Sequence, residues 1–194
     1  AKEGQQVEAA EAMETEENLV MKEYWLLFFD GASKTNTSGA GLVLQSPDGF
    51  IVEYAIKLNF PTTNNEAEYE ALIAGLGLAK ALRVQNLKIC GDSRLVVSQI
   101  NGEYEASEQT MVKYCRLVKA LMTQFEECTI EYIPREENIK VDVLSKFASS
   151  EIESCSGSVY FQVLRTPSIE RKLIAPIGLG TCWMDMIKEY LETE

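Results

Sequence analysis

Five large apolar residues, Trp25-Leu26-Leu27-Phe28-Phe29, run without a break into Asp30-Gly31-Ala32-Ser33. A short unbroken apolar run reads as a strand covered on both faces. The chain must therefore build a sheet with layers on either side of it. The run ends on a carboxylate, for which packing has little use, because Asp is rarely buried unless paired or bound to a cation. Gly31 lets another backbone come close. Alone, such an Asp fits the start of a turn as well as it fits a site, and the rest of the chain decides.

The pattern after this strand predicts βββαβαβα. Ala40 to Gln45 and Phe50 to Leu58 read as two further strands, separated by the turn Ser46-Pro47-Asp48-Gly49. Thr63, with Glu66 three residues on, fits a capping box opening a helix that runs to about Leu82. Asn86 to Cys90 is a strand, Arg94 to Ile100 a short helix, and Gln109 to about Phe125 a longer one. Thr129 to Ile133 is a strand stopped by Pro134, and Asn138 to Ala148 a last helix. Strand–helix–strand crossovers require parallel, right-handed pairing. The expected fold is an α/β domain over residues 23–149, a mixed five-stranded sheet with helices on its faces and the first strand central.

The flanks differ from this core. Residues 1–22 are Glu, Gln and Ala-rich and read as an acidic disordered leader. Residues 150–194 read as a linker and connector tail. It holds a short strand at Val159–Leu164 and an amphipathic helix marked by Trp183, Ile187, Tyr190 and Leu191.

Composition closes several routes. There is no histidine, which excludes Ser-His-Asp and Cys-His catalysis and His-ligated zinc. No run reaches the roughly 18 apolar residues of a membrane span, and no signal peptide is expected. Cys90, Cys115, Cys128, Cys155 and Cys182 are odd in number and lack a C-x-x-C spacing. They predict reduced thiols in an intracellular protein, cytoplasmic (in a virus-like particle included) or nuclear, and not secreted. Net charge is −12, but residues 24–148 carry 12 basic and 16 acidic groups. That middle section is acidic only to the extent that bound cations would neutralise.

Four acids converge in such a sheet. Asp30 ends the first strand and Asp92 ends its parallel neighbour, so both reach the edge where open α/β sheets bind ligands. Glu68 enters on the first long helix and Asp142 on the last. Glu66 is engaged by the capping box, and Glu70, four residues on, reads as solvated beside it, which leaves Glu68 as the helix's site acid. Each acid alone is ordinarily a solvated surface carboxylate, but four together repel one another and raise each other's pKa. A divalent cation with oxygen ligands, Mg²⁺ or Mn²⁺, resolves this. Two such ions about 4 Å apart support phosphodiester hydrolysis without histidine.

Asp30-Gly31-Ala32-Ser33, Thr63-Asn64-Asn65-Glu66-Ala67-Glu68, Asp92-Ser93 and Asn138-Ile139-Lys140-Val141-Asp142 resemble the four motifs of type 1 ribonuclease H. The longer wording around residues 63–76 and 134–138 is most similar to the ribonuclease H segment of plant Ty3/gypsy-type retrotransposon polyproteins. Cys182-Trp183-Met184-Asp185 resembles the connector toward an integrase. The resemblance implies a ribonuclease H-like fold and cleavage of the RNA strand of RNA–DNA hybrids, leaving 5′-phosphate and 3′-hydroxyl ends. It also implies two Mg²⁺ ions per site, replaceable by Mn²⁺. Asp30 would bridge them, with Glu68 and Asp92 completing one and Asp142 the other. Gly31, Ser33, Asn64, Asn65, Ser93 and Arg135 would meet the hybrid, the two Asn amides at the 2′-hydroxyls and base edges that mark RNA. Implied partners are the hybrid and the reverse transcriptase and integrase parts of one polyprotein, with a monomer as default and no membrane.

The chain departs from the family pattern in three places. The loop before the last helix, Ile133-Pro134-Arg135-Glu136-Glu137-Asn138, is short and lacks the His found in many cellular members, which predicts slow product release. No basic, aromatic binding helix stands between Asn101 and Glu108, which predicts weak hybrid binding by the domain alone. Arg94 and Val141 stand where Gln and Ala are commoner. A catalytically weak nucleic-acid-binding or tether module is the alternative, and the intact acid quartet argues against it. A DnaQ-like exonuclease would show Asp-x-Glu on the first strand, and a transposase core would end its acids on Glu; neither pattern is present.

Overall fold

A computed structural model describes residues 22–34, 37–150 and 159–171. The leader at 1–21, most of the linker, and the helix expected around Trp183 to Leu191 lie outside the described residues. Three strands come first: β1 (Trp25–Ser33), β2 (Ser38–Gln45) and β3 (Ile51–Leu58). They are followed by α1 (Asn64–Ala81), β4 (Asn86–Gly91), α2 (Arg94–Asn101), α3 (Gln109–Met122), β5 (Glu127–Tyr132), α4 (Ile139–Ser149) and β6 (Val159–Leu164).

The sheet order is β5-β4-β1-β2-β3-β6. β1, β2 and β3 pair antiparallel, while β1 with β4 and β4 with β5 pair parallel. β1 is interior, as its apolar run requires. The sheet has six strands, not the five expected. Val159–Leu164, expected as a strand of the tail, joins the sheet instead, in parallel along β3 from Glu53↔Val159 to Leu58↔Leu164. A six-residue strand with no turn signal tying it to a neighbour gives no hint of which edge it joins, and β3 had one edge free.

Alternation along the strands divides the core. Leu27 and Phe29 of β1, with Ala40, Leu42 and Leu44 of β2, pack under α1, which α3 covers in turn. Val43 and Ala55 face the other way, against Val141, Leu144 and Ala148 of α4, with Phe28 at their margin. The layering therefore matches a strand covered on both faces, at roughly 1.5–3 kcal/mol for each large apolar side chain buried.

α1 begins with the expected capping box. The Glu66 amide donates to Thr63 Oγ1 at 3.2 Å, and the Thr63 amide donates to Glu66 Oε2 at 2.7 Å. Gly75 gives Leu27 the room its side chain takes, whereas Gly77 has open space around it. α1 stops where Arg83 turns left-handed at φ 58°, which ends the helix without a glycine. Among the described cysteines, Cys90 and Cys115 are buried and Cys128 half-buried, and all three are free thiols. Burial, then the nearby Glu131, pushes the Cys90 thiol up to about 12, so it serves as an inert core residue. No helix among the described residues is long and apolar enough to cross a membrane.

Candidate active site

β1 and β4 run parallel in register Phe28↔Cys90 and Phe29↔Gly91. β1 does not stop at Asp30 as expected but runs on to Ser33 beside β2. It is the pairing with β4 that ends at Phe29, and this brings Asp30 and Asp92 to one edge of the sheet. α1 crosses the same edge because Gly31 has no side chain. A Cβ on Gly31 would fall on the backbone of Ala67 and Glu68. This close approach places Glu68 beside Asp30, and it gives Gly31 a structural reason independent of any substrate.

One carboxylate oxygen from each of Asp30, Glu68 and Asp92 lies within 4.8 Å of the others. Asp30 and Glu68 are buried. Burial, then the charges of Asp92 and Asp142, raises the Asp30 carboxyl to about 6, although the Ser145 hydroxyl and Arg135 pull the other way. Burial, then Asp30 and Asp92, holds Glu68 well above the usual carboxylate range, with only partial relief from the Gly31 amide. Glu68 Oε2 is buried with no hydrogen-bond partner among the described residues. A buried acceptor without a donor is costly. Three crowded carboxylates, one with an orphaned oxygen, form a donor set that could hold a hard divalent cation.

Asp142 stands outside this group of three. It lies on α4 with Arg135 Nη2 donating to its Oδ1 at 2.7 Å and Lys146 Nζ donating to its Oδ2 at 2.6 Å. Burial works against its charge, but Lys146 and Arg135 outweigh it and hold the carboxyl below its ordinary value. Arg135, expected at the hybrid, is thus turned onto Asp142, because the loop before α4 is short enough to keep its side chain over the first helical turn.

The remaining expected contact residues lie along the same edge. The Ser33 amide donates to Asn64 Oδ1 at 2.8 Å, and its hydroxyl donates to the Thr62 carbonyl at 2.5 Å. The β1 end and the α1 start are thereby tied, with Asn64 exposed and Asn65 half-buried beside them. Ser93 caps α2, its hydroxyl accepting from the Val96 amide at 3.4 Å. Arg94 places its guanidinium 4.8 Å from the centre of the Tyr132 ring.

Glu70, expected to be solvated, is fully buried. It accepts from the Tyr114 hydroxyl and the Ser168 amide, both at 2.7 Å, and from the Ser168 hydroxyl at 2.5 Å. A position four residues from the capping Glu66 is turned beneath α3 and the segment after β6, which sequence spacing does not show. Two site neighbours also escape a reading of the sequence. Asn138 is buried and donates to both the Phe29 carbonyl and Asp92 Oδ1, each at 3.0 Å. Ser145 is buried and donates to Asp30 Oδ2. The signal for both is their spacing: residues 138, 142 and 145 fall on one face of α4.

Residues 28–148 match the family described as reverse transcriptase-like. Ribonuclease HI of Halobacterium salinarum is 36% identical over 123 residues, which is 62% of each chain. The present chain thus spans less than two thirds of that relative's length. The crystal structure of RNase H1 from the same archaeon superposes with a TM-score of 0.61 at 34% identity, covering 64% of this chain and 96% of that one. LC11-RNase H1, solved in complex with an RNA/DNA hybrid, gives a TM-score of 0.59 at 27% identity, covering 64% and 96%. The acids at one sheet edge, the strand order that brings them there and these likenesses lead to one assignment: the chain belongs to the type 1 ribonuclease H family.

Proposed function

We propose that this protein is a divalent-metal-dependent endonuclease that hydrolyses the RNA strand of RNA–DNA hybrids, leaving 5′-phosphate and 3′-hydroxyl ends. The observation that carries the reading is the group formed by Asp30, Glu68 and Asp92, with the unpartnered Glu68 oxygen inside it. The relatives named ribonuclease HI and RNase H1, one of them solved with an RNA/DNA hybrid, support the substrate class.

Asp30, Glu68 and Asp92, with Asp142 from α4, would hold two Mg²⁺ ions, with Mn²⁺ as a substitute. When bound, such ions supply an acidified water and steady the charge on the leaving oxygen. The protein's own groups do the rest. Asn138 keeps Asp92 facing the group through its bond to Oδ1. Asn64 has its oxygen committed to the Ser33 amide, so its amide protons are the part free to meet a 2′-hydroxyl or base edge. Asn65, Ser33, Ser93 and Gly31 would meet the hybrid beside it. Arg135, which now donates to Asp142 Oδ1, would have to give up that carboxylate for it to hold a metal, and its guanidinium would then be free for a phosphate.

Origin and context belong to the same reading. The reverse transcriptase-like family description supports a retroelement polyprotein, with reverse transcriptase and integrase parts as partners and an intracellular site of action. The test is cleavage of labelled hybrid, single-stranded RNA, double-stranded RNA and DNA in Mg²⁺ and in Mn²⁺, with Asp92→Asn as control. Hybrid-only cleavage of the RNA strand, lost in the variant, is expected. A folded protein that cleaves nothing in either metal would leave a binding or tether module in its place.

A further inference from the structure

β2 begins Ser38-Gly39-Ala40-Gly41, and its alternation separates two faces. Ala40 packs with Leu42 and Leu44 under α1, so Gly39 and Gly41 present bare backbone to α4. A Cβ on Gly39 would fall on the backbone of Ser145, Ala148 and Ser149. One on Gly41 would fall on the Ser145 nitrogen, the Val141 carbonyl and Leu144. α4 is therefore seated directly on strand backbone, closer than any side chain would allow. Gly41 is also the cross-strand partner of Asp30. The two glycines thus deliver Ser145 to the acid that β1 carries at Asp30.

The Ser145 hydroxyl is fully buried. It donates to Asp30 Oδ2 and lies 3.0 Å from the Asp142 carbonyl oxygen. A hydroxyl has one proton to give, and a carboxylate is the stronger acceptor, so the proton goes to Asp30. We propose that Ser145 is a positioning residue of the acid cluster. Its hydroxyl holds the Asp30 side chain in the rotamer that keeps it with Glu68 and Asp92, and it sets the reach between the acid of β1 and the acid of α4.

This role rests on the acids binding metal. Donors behind a ligating carboxylate fix its orientation, and losing one typically weakens metal binding about 10–100-fold. Here no easy substitute exists. The space left by one buried hydroxyl is too small for a water, and Asp30 Oδ2 would be left without this donor in the core.

The experiment uses the full chain with Ser145→Ala and Ser145→Cys. Free Mn²⁺ is counted by electron paramagnetic resonance during titration, so affinity is read without activity. Steady-state cleavage of hybrid at fixed Mn²⁺ is measured beside it. Both variants are expected to keep the metal-free melting temperature within a few degrees, to bind Mn²⁺ roughly tenfold or more weakly, and to lose kcat while KM for hybrid is unchanged. Should the alanine variant fail to fold, the cysteine variant decides, since its thiol fills the site but is a weak donor. Wild-type affinity in the folded variant would overturn the proposal and leave the metal reading standing. A wild-type chain that binds no Mn²⁺ would overturn both.

Discussion

Asn138 occupies the position before α4 where a side chain ordinarily caps the helix, yet its amide donates at 3.0 Å to Asp92 Oδ1. The same nitrogen donates at 3.0 Å to the Phe29 carbonyl. An Asn at this position normally accepts from the first turn's amides. Here the capping bond is given up to tie α4 to the ends of β1 and β4. Replacing Asn138 with Ala leaves a buried carbonyl and a carboxylate oxygen without this donor, at about 1–3 kcal/mol. Asn138→Ala should lower the urea midpoint accordingly and slow hybrid cleavage. An unchanged midpoint would mean the amide is not needed to hold the edge together.

The acid group makes a pH prediction for the metal-free protein. Burial, then Asp92 and Asp142, raises Asp30 to about 6, and burial, then Asp30 and Asp92, holds Glu68 higher than normal as well. A raised pKa means the native state keeps a proton that the unfolded chain has already lost. This stabilisation is complete below about pH 4 and is lost as pH rises through about 6, and for Glu68 further on. Asp30→Asn removes the Asp30 share. Without divalent ions it should raise stability by up to about 2–3 kcal/mol at pH 8 and by little at pH 4. Urea titrations of both chains at the two pH values check it, and equal differences at both would contradict it.

Asp142 is held by its own side of the protein. Its pairs with Arg135 and Lys146 join it to side chains that are 67% and 54% exposed, so each pair adds at most about 1 kcal/mol. The double variant Arg135→Gln, Lys146→Gln should therefore melt within a few degrees of the original. Half-saturation by Mn²⁺ should move to lower concentration, because Asp142 no longer exchanges two cationic partners for a metal. A shift to higher concentration would show that these side chains help to build the site.

The features legible in the sequence are those written in consecutive residues. The apolar run into Asp30, the Thr63 and Glu66 pair, and the acid after β4 each state a local geometry, and the structure follows it except that β1 runs past Asp30 to Ser33. Asn138, Ser145 and Glu70 are not legible, because each is defined by a partner far along the chain. Asn138 meets Phe29 across 109 positions, Ser145 meets Asp30 across 115, and Glu70 meets Ser168 across 98. A polar residue near a helix end reads as a cap or a solvated surface until the fold supplies its partner. The strand β6 is legible but its place is not, for the same reason, since pairing with β3 depends on which sheet edge is left open.

Glu70 links that sixth strand to the rest of the protein. It is fully buried and takes three donors, one from Tyr114 on α3 and two from Ser168 in the turn that follows β6. Leu164 is also buried, packed into the main core. The segment 159–171 is therefore needed to satisfy a buried carboxylate, although it lies beyond the residues 28–148 that match the family. A chain ending at Ser150 would keep the Tyr114 bond but lose both Ser168 donors and the Leu164 packing. It should lose several kcal/mol, from two hydrogen bonds at about 0.5–1.5 kcal/mol each together with the buried Leu164 side chain at about 1.5–3 kcal/mol. Ser168→Ala, which removes one hydroxyl and leaves the amide, should cost only about 1–2 kcal/mol. Glu70→Gln should cost no more than Ser168→Ala, because its oxygen can keep the Tyr114 hydroxyl and the Ser168 amide while its nitrogen faces the Ser168 hydroxyl, which can turn to accept. Urea unfolding of the three variants gives the order directly. A truncated chain as stable as the full one would show that β6 rests on the sheet without supporting it.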